Sequence, residues 1–341
     1  MKSRIEVDPE KIKEIPMFFI LGRPRSGTTL VRTVFDAHPN ISIPLETIVI
    51  PELFPEFGRI KEWDKEKIIR FFNKAIKLRY YSNWSSDSEK LKNDLLKLEG
   101  KASYSDFIKT FYLNYVSFYD KNQITLIGDK TPYNSNHIPL LIKLFPKAKF
   151  IHIIRDPHEH ILSMKKVDFG SNSALVISQN WKILNKKIER AKRKNPEKFI
   201  TVKFEDFLMT PEKFLKEWCE FLSIEYSESM MKFYEIKDQV NEHYTPEQVN
   251  KVHSSLLKPI VPGKINAWMD KMSKKDAMIC EFVTSRYINS YGYSRMFSKF
   301  PLLWKIKIFP KYLYIVFFIH IFNYLKNTSG RKIKTIYYRF F

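Results

Sequence analysis

Cysteine is nearly absent: 341 residues hold two, Cys219 and Cys280. That excludes a disulfide framework, so both read as small buried hydrophobes and a reducing, cytoplasmic setting is expected. Glycine is also sparse, at nine residues, and 28% of the chain is charged, which is an ordinary globular composition. Neither H-E-x-x-H nor a paired C-x-x-C occurs, so metal catalysis has no motif to rest on. His158 and His160 flank Glu159, but residues two apart on a helix face different ways, and no metal site is expected there. Met1 to Ile15 is charged and lacks the apolar core of a signal peptide or an amino-terminal anchor. Positive charge, by contrast, is plentiful. Lys and Arg number 58 against 37 Asp and Glu, a net charge of +21, which suits an anionic partner. Much of that excess is Lys, which an AT-rich genome would also produce by composition alone. No nucleic-acid module is recognisable, so nucleic acid is not the expected partner.

The chain is organised around Met17 to Pro39. Met17 to Leu21 reads as a short buried strand. Gly22 to Gly27 is a loop, and Leu30, Val31, Val34 and Phe35 recur at helical spacing until Pro39. Strand, glycine-bounded loop and helix start form an anion cradle of backbone N–H groups at the positive end of a helix dipole. The spacing G-x-x-x-x-G is that of a P-loop, but Thr28 stands where the lysine should be. The cradle should therefore hold a phosphate-like group rather than a triphosphate with Mg²⁺, with Arg25 supplying positive charge.

Four strands are expected: Met17–Leu21, Ile124–Ile127, Lys149–Ile154 and Phe199–Phe204. They alternate with helices, which implies an α/β fold with a P-loop-like parallel sheet flanked by helices. Residues 56–119 read as a helical insertion covering an acceptor site. Domain 1–298 is followed by a basic, aromatic tail, 299–341. Ligands in such sheets sit beyond the carboxyl ends of strands, where the loop, Lys130 and Arg155 all fall. The tail has no acidic residue, and its central apolar run is shorter than the roughly 20 residues of a spanning helix. It suits an interfacial helix at an anionic membrane, or packing on the domain or on a twin subunit.

Gly22-Arg-Pro-Arg-Ser-Gly-Thr-Thr-Leu30 with Asp36-Ala-His-Pro39 resembles the 5′-phosphosulfate loop of sulfotransferases that use 3′-phosphoadenosine 5′-phosphosulfate (PAPS), nearest the tyrosylprotein sulfotransferase branch and its bacterial relatives. The resemblance covers roughly residues 17 to 298 and implies a PAPS site made by Arg23, Arg25, Ser26, Gly27, Thr28 and Thr29. Ile154-Arg-Asp-Pro157 with Ser163 resembles the family's 3′-phosphate site, implying Arg155 and Ser163 as ligands. Glu46 falls where that branch has its catalytic base, and Lys130, in Asp129-Lys-Thr-Pro132, where the family has a lysine on the transferred group. Lys258 lies in a segment resembling the late cofactor-closing stretch before Trp268. Together these imply in-line sulfuryl transfer to an acceptor hydroxyl, with Glu46, Lys130 and Arg25 catalytic and no metal required.

Departures from the branch bear on the acceptor. Ile48 and Glu52 stand where two arginines read acidic peptides, and Phe204 replaces a tyrosine near the nucleotide. The pattern favours a small molecule, saccharide or lipid over a protein tyrosine. Two other readings remain: a P-loop nucleotide kinase or other phosphotransferase, and a non-catalytic nucleotide- and membrane-binding protein of the same fold.

Overall fold

The computed structural model describes residues 8–84, 86–168, 171–235, 258–262 and 266–328. Its chain divides into two compact units. The first comprises Met1–Ile153, Ile188–Val202 and Asp206–Val261; the second comprises Ile154–Lys187, Lys203–Glu205 and Pro262–Phe341.

Five strands form one sheet: β1 (Met17–Leu21), β2 (Ile41–Ser42), β3 (Leu126–Asp129), β4 (Lys149–Ile154) and β5 (Phe199–Lys203), in the order β2-β3-β1-β4-β5. β1 pairs in parallel with both β3 and β4, and β2 with β3. Each of the five β1 side chains is buried, as a central parallel strand covered on both faces requires. Four of these strands match the sequence expectation. β3 ends two residues later than read, and the two-residue β2 was not expected at all. Because β1 lies between β3 and β4, its carboxyl end is the place where strand order reverses, the usual ligand crevice of an open α/β sheet.

The helices of the chain start with α1 (Pro9–Glu14) and α2 (Thr28–Asp36). α3 (Val49–Phe57) follows, and residues 56–119 then hold α4 (Lys65–Ala75), α5 (Ser88–Leu96) and α6 (Tyr104–Leu113). Local chemistry starts three of them. Asp64 and Asp87 accept N-terminal amides of α4 and α5, and Ser103 with Asp106 makes a capping box on α6. The insertion holds its own aromatic core, with Trp63 stacked on Phe107 at 3.8 Å and Phe71 edge-on to both. Then come α7 (Ile138–Leu144), α8 (Pro157–Met164), α9 (Ala174–Lys194), α10 (Phe204–Met209) and α11 (Pro211–Leu222). Phe35 of α2 lies between Phe18 of β1 and Trp218 of α11, so one face of the sheet is sealed by aromatic rings.

In the second unit, α12 (Trp268–Lys271), α13 (Lys274–Tyr291) and α14 (Leu302–Thr328) follow. Ile161 and Met164 of α8 share a buried cluster with Trp268 and with Cys280 and Val283 of α13. Both cysteines are free and buried.

Candidate active site

The loop after β1 is shaped by two close approaches. A Cβ at Gly22 would lie 2.8 Å from the Ile153 carbonyl oxygen and 2.9 Å from Thr28 Cγ2, so only glycine fits between β4 and the first residue of α2. The Gly22 N–H donates to Ser135 Oγ at 3.2 Å, and the Ser26 N–H donates to the Arg23 carbonyl at 3.2 Å. Arg25 has φ 67° and Gly27 φ 84°. A non-glycine residue in the left-handed region costs about 1 kcal/mol or more, strain of the kind that collects at functional sites. Gly27 is the N-cap of α2 and brings no side chain to the first-turn amides. Those donors and the positive end of the helix dipole suit an anion. Ser26 and Thr28 are buried, while Arg23, Arg25 and Thr29 are half-buried.

Lys130, one residue past β3, reaches back to this loop. Its ammonium donates to Thr29 Oγ1 at 3.2 Å and pairs with the Glu46 carboxylate at hydrogen-bond contact. The Lys130 side chain is 4% exposed and that of Glu46 35%. The carboxylate is therefore the half of the pair that solvent can reach.

Two buried networks hold this pair in place. The first centres on Asp129, the last residue of β3. Its carboxylate accepts from Tyr112 Oη at 2.7 Å, Thr131 Oγ1 at 2.9 Å, the Thr131 N–H at 3.1 Å and Asn134 Nδ2 at 2.9 Å. Burial raises its pKa, and those four donors oppose the rise. Thr131 Oγ1 in turn accepts the Thr47 N–H at 3.1 Å. One side chain thus ties the residue after Glu46 to the residue after Lys130.

The second network grips the approach to Glu46. Arg32 of α2 donates to the carbonyls of Ile43, at 2.7 Å from Nη2, and of Pro44, at 3.3 Å from Nε. It also pairs with Asp36 at 3.1 Å, one helical turn on. Lys121 donates to the carbonyls of Asp36, His38 and Ile41, and burial lowers its pKa while Asp36 opposes that fall. Sequence reasoning missed Asp129, Thr131, Arg32 and Lys121. The i, i+4 spacing of Arg32 and Asp36 was the one available signal.

Tyr80, between α4 and α5, was also missed. It has φ 78°, and the Arg79 guanidinium lies 4.8 Å from its ring centroid. Burial raises its phenol pKa, Arg79 pulls the other way, and the charge of Glu46 adds to the rise.

Arg155 and Ser163 belong to the second unit, before and near the end of α8. The Arg155 guanidinium lies 5.6 Å from the Phe204 ring centroid and 3.7 Å from Glu159 Oε2. Phe204 lacks the hydroxyl of a tyrosine but still supplies an aromatic face. The Arg155 carbonyl accepts from Trp181 Nε1 at 3.2 Å, and the Asp156 N–H donates to Glu205 at 3.0 Å. His158 is fully buried. Nδ1 bonds Asp156 at 2.8 Å, Nε2 lies 3.4 Å from Glu281, and the ring stacks on Trp268 at 3.8 Å. Burial opposes its charge, but Cys280, Asp156 and Glu281 outweigh that and lift its pKa to about 11. Asp156 also caps α8 through the His158 N–H at 2.7 Å. His158 is thus a structural clamp on the Arg155-Asp156-Pro157 corner. Lys258 lies exposed. Among the described residues no group of three or more His, Cys, Asp or Glu is arranged to hold a metal ion.

Comparison with known proteins places the chain in a family. A family model described as the sulfotransferase family matches residues 16–228. The chain is 25% identical over 266 residues to protein-tyrosine sulfotransferase 1 of Danio rerio, covering 76% of this chain and 67% of that protein. It is 27% identical over 270 residues to protein-tyrosine sulfotransferase 1 of Homo sapiens, covering 76% and 65%. It spans only 48% of the protein-tyrosine sulfotransferase of Drosophila melanogaster, at 24% identity over 274 residues and 76% of this chain. Among solved structures, the sulfotransferase domain of the Synechococcus PCC 7002 olefin synthase superposes with a TM-score of 0.57 at 22% identity, over 82% of this chain and 95% of that one. The match to the family model extends from the strand before the glycine loop past the end of α11, and by it the chain belongs to the sulfotransferase family.

Proposed function

We propose that this protein transfers a sulfuryl group from PAPS to an acceptor hydroxyl, with Glu46 as the base. The observation that carries this reading is the Lys130 ammonium, buried against the first turn of α2 and paired with a carboxylate that stays a third exposed. The loop fits a 5′-phosphosulfate. Gly22 admits no side chain, the α2 amides carry no side-chain cap, and Arg25 adds charge in a strained conformation. When bound, PAPS supplies the sulfuryl group, and its 5′-phosphate is the leaving group.

Glu46 takes the proton of the acceptor hydroxyl, a role typically worth about 10²–10⁴ in rate. Lys130, the amides of Gly27, Thr28 and Thr29, Ser26 and Arg25 stabilise the negative charge that collects on the departing phosphate. One preorganised donor of this kind is worth about 3 kcal/mol. Arg23 lies in the same loop and adds to its positive charge. Arg155 and Ser163 are assigned the 3′-phosphate on motif resemblance, with Arg155 suited to a two-pronged, charge-assisted contact. Lys258 keeps its assignment to the nucleotide on the same ground alone.

The acceptor is a hydroxyl of a small molecule, saccharide or lipid. Ile48 opens α3, and the Glu52 carboxylate accepts from Tyr133 Oη at 3.3 Å. An apolar residue and a carboxylate there do not attract an acidic peptide. Incubating the protein and PAPS with an acceptor panel of phenols, sugars, lipids and tyrosine peptides, and reading sulfate mass gain together with PAP release, tests this reading. Sulfated product from a non-peptide acceptor is expected. Tight ATP–Mg²⁺ binding with no affinity for PAP would replace it with a phosphotransferase, and sulfation of acidic tyrosine peptides alone would overturn the acceptor class.

A further inference from the structure

The second unit carries an apolar surface that sulfuryl transfer does not use. Helix α14 is apolar on two sides. Trp304, Ile308, Tyr312 and Ile315 pack on the buried cluster of α8, α12 and α13. Phe282 meets the Trp304 and Tyr312 rings edge-on at 5.6 and 5.8 Å, and Lys182 Nζ lies 5.9 Å from the Tyr312 ring centroid. The row displaced by two residues, about 200° around the helix, faces water instead. Leu302, Ile306, Phe309, Leu313 and Phe317 recur there at i, i+4, i+7, i+11 and i+15, with Leu302 72% and Phe317 63% exposed. Lys305 and Lys307 stand about 100° to either side of Ile306. Not one Asp or Glu occurs between Lys299 and Phe341.

A helix apolar on two opposite sides has one side left over once the other is packed, and a contiguous exposed apolar row marks an interaction surface. We propose that α14 seats the second unit on an anionic phospholipid bilayer. The Leu302-to-Phe317 row lies at the acyl boundary, and Lys305 and Lys307 rest on headgroup phosphates. The charge pattern selects lipid over a second copy of the chain. Two α14 helices meeting face to face would set these lysines against each other with no carboxylate in the segment to pair them. Among the described residues no helix is long and apolar enough to cross a membrane, so the helix lies along the surface. The proposal stands apart from the transfer reading, since none of these residues is in the catalytic machinery.

The test is flotation of the full chain with phosphatidylcholine vesicles, without and with about 30 mol % phosphatidylserine. Binding is expected to the anionic vesicles and to weaken with salt. The neutral double substitution Ile306→Ser/Phe317→Ser should lower partitioning at least about 10-fold. Lys305→Gln/Lys307→Gln should lower it about 10-fold on anionic vesicles only. Lys61→Gln/Lys65→Gln, an equal charge change on exposed positions of the first unit, should leave it within about two-fold. Equal flotation of wild type and Ile306→Ser/Phe317→Ser would overturn the proposal. So would a control as damaging as the α14 lysine pair, or a vesicle-free dimer that Phe317→Ser splits while no form of the protein floats.

Discussion

The His158 clamp makes a prediction whose size follows from proton counting. Its ring is enclosed by Cys280, Asp156, Glu281 and the Trp268 ring, and Cys280 and the two carboxylates outweigh burial to lift its pKa to about 11 against 6.5 for the free side chain. A pKa raised by folding means that the protonated form stabilises the native state. That stabilisation is complete below pH 6.5 and is lost as pH rises toward 11. Between these values the native chain holds a proton that the unfolded chain has released. Stability should therefore fall with rising pH by about 1.4 kcal/mol per unit from this group alone. Over two units, pH 7.5 to 9.5, the loss is about 3 kcal/mol.

The perturbation is His158→Gln, which keeps a hydrogen-bonding side chain but cannot carry the proton. Urea unfolding followed by tryptophan fluorescence, at fixed pH values across that window, gives the free energy of each protein by linear extrapolation. Other titrating groups largely cancel in the difference between the two. The wild type should be the more stable at pH 7.5, and its advantage should shrink by about 3 kcal/mol by pH 9.5. A gap that stays constant within about 0.5 kcal/mol across the window would show that folding adds no net proton at His158, whether because the ring is neutral or because Cys280 supplies its proton, and refutes the clamp as argued.

Three further outcomes test the site. Glu46→Gln should reduce turnover about 100-fold or more while leaving PAP affinity within about two-fold, measured by steady-state kinetics and calorimetry; an equal loss of PAP affinity contradicts the base assignment. Arg155→Ala should weaken PAP about 10- to 100-fold but hardly affect an analogue lacking the 3′-phosphate, and equal weakening of both excludes a 3′-phosphate contact. Thr131→Val keeps the shape of the side chain but strands the Thr47 N–H and removes one of the four donors to the buried Asp129 carboxylate, leaving that oxygen with Tyr112 Oη. It should cost about 1–3 kcal/mol in urea unfolding and lower kcat with PAP affinity unchanged; unaltered kcat would show that the tie between Glu46 and Lys130 is not needed for positioning.

The parts of the fold legible in the sequence are those whose cause is local. Met17–Leu21 is a continuous apolar run because β1 is covered on both faces, and Ala174–Lys194 could be bounded because Asn195-Pro196 ends a long periodic stretch. β2 has two residues, Ile41 and Ser42, too few to show any period. It exists because β3 offers it a parallel partner and Arg32 and Lys121 hold the backbone around it. No property of Ile41 and Ser42 themselves encodes that.

The same division runs through the candidate site. The glycine loop announces itself, since its donors are backbone groups presented by six consecutive residues and the start of one helix. The Glu46–Lys130 contact joins residues 84 apart, and Lys130 meets Thr29 across 101. Motif order could place all three on the nucleotide side of the fold, but not in contact. What sets that contact is an apolar and hydrogen-bonded frame. Asp129 fixes Thr131, Thr131 fixes Thr47, and Arg32 fixes the carbonyls just before Glu46. Asp129 and Thr131 stood in the sequence only as the flanks of Lys130, and Thr47 and Arg32 as unremarkable polar positions, because the meaning of each depends on a partner supplied by another element. Tyr80 is the extreme case. Its φ of 78° comes with two local contacts, the Arg79 guanidinium over its ring and the Asn83 N–H on its carbonyl, and no residue pattern in the sequence announces a left-handed tyrosine.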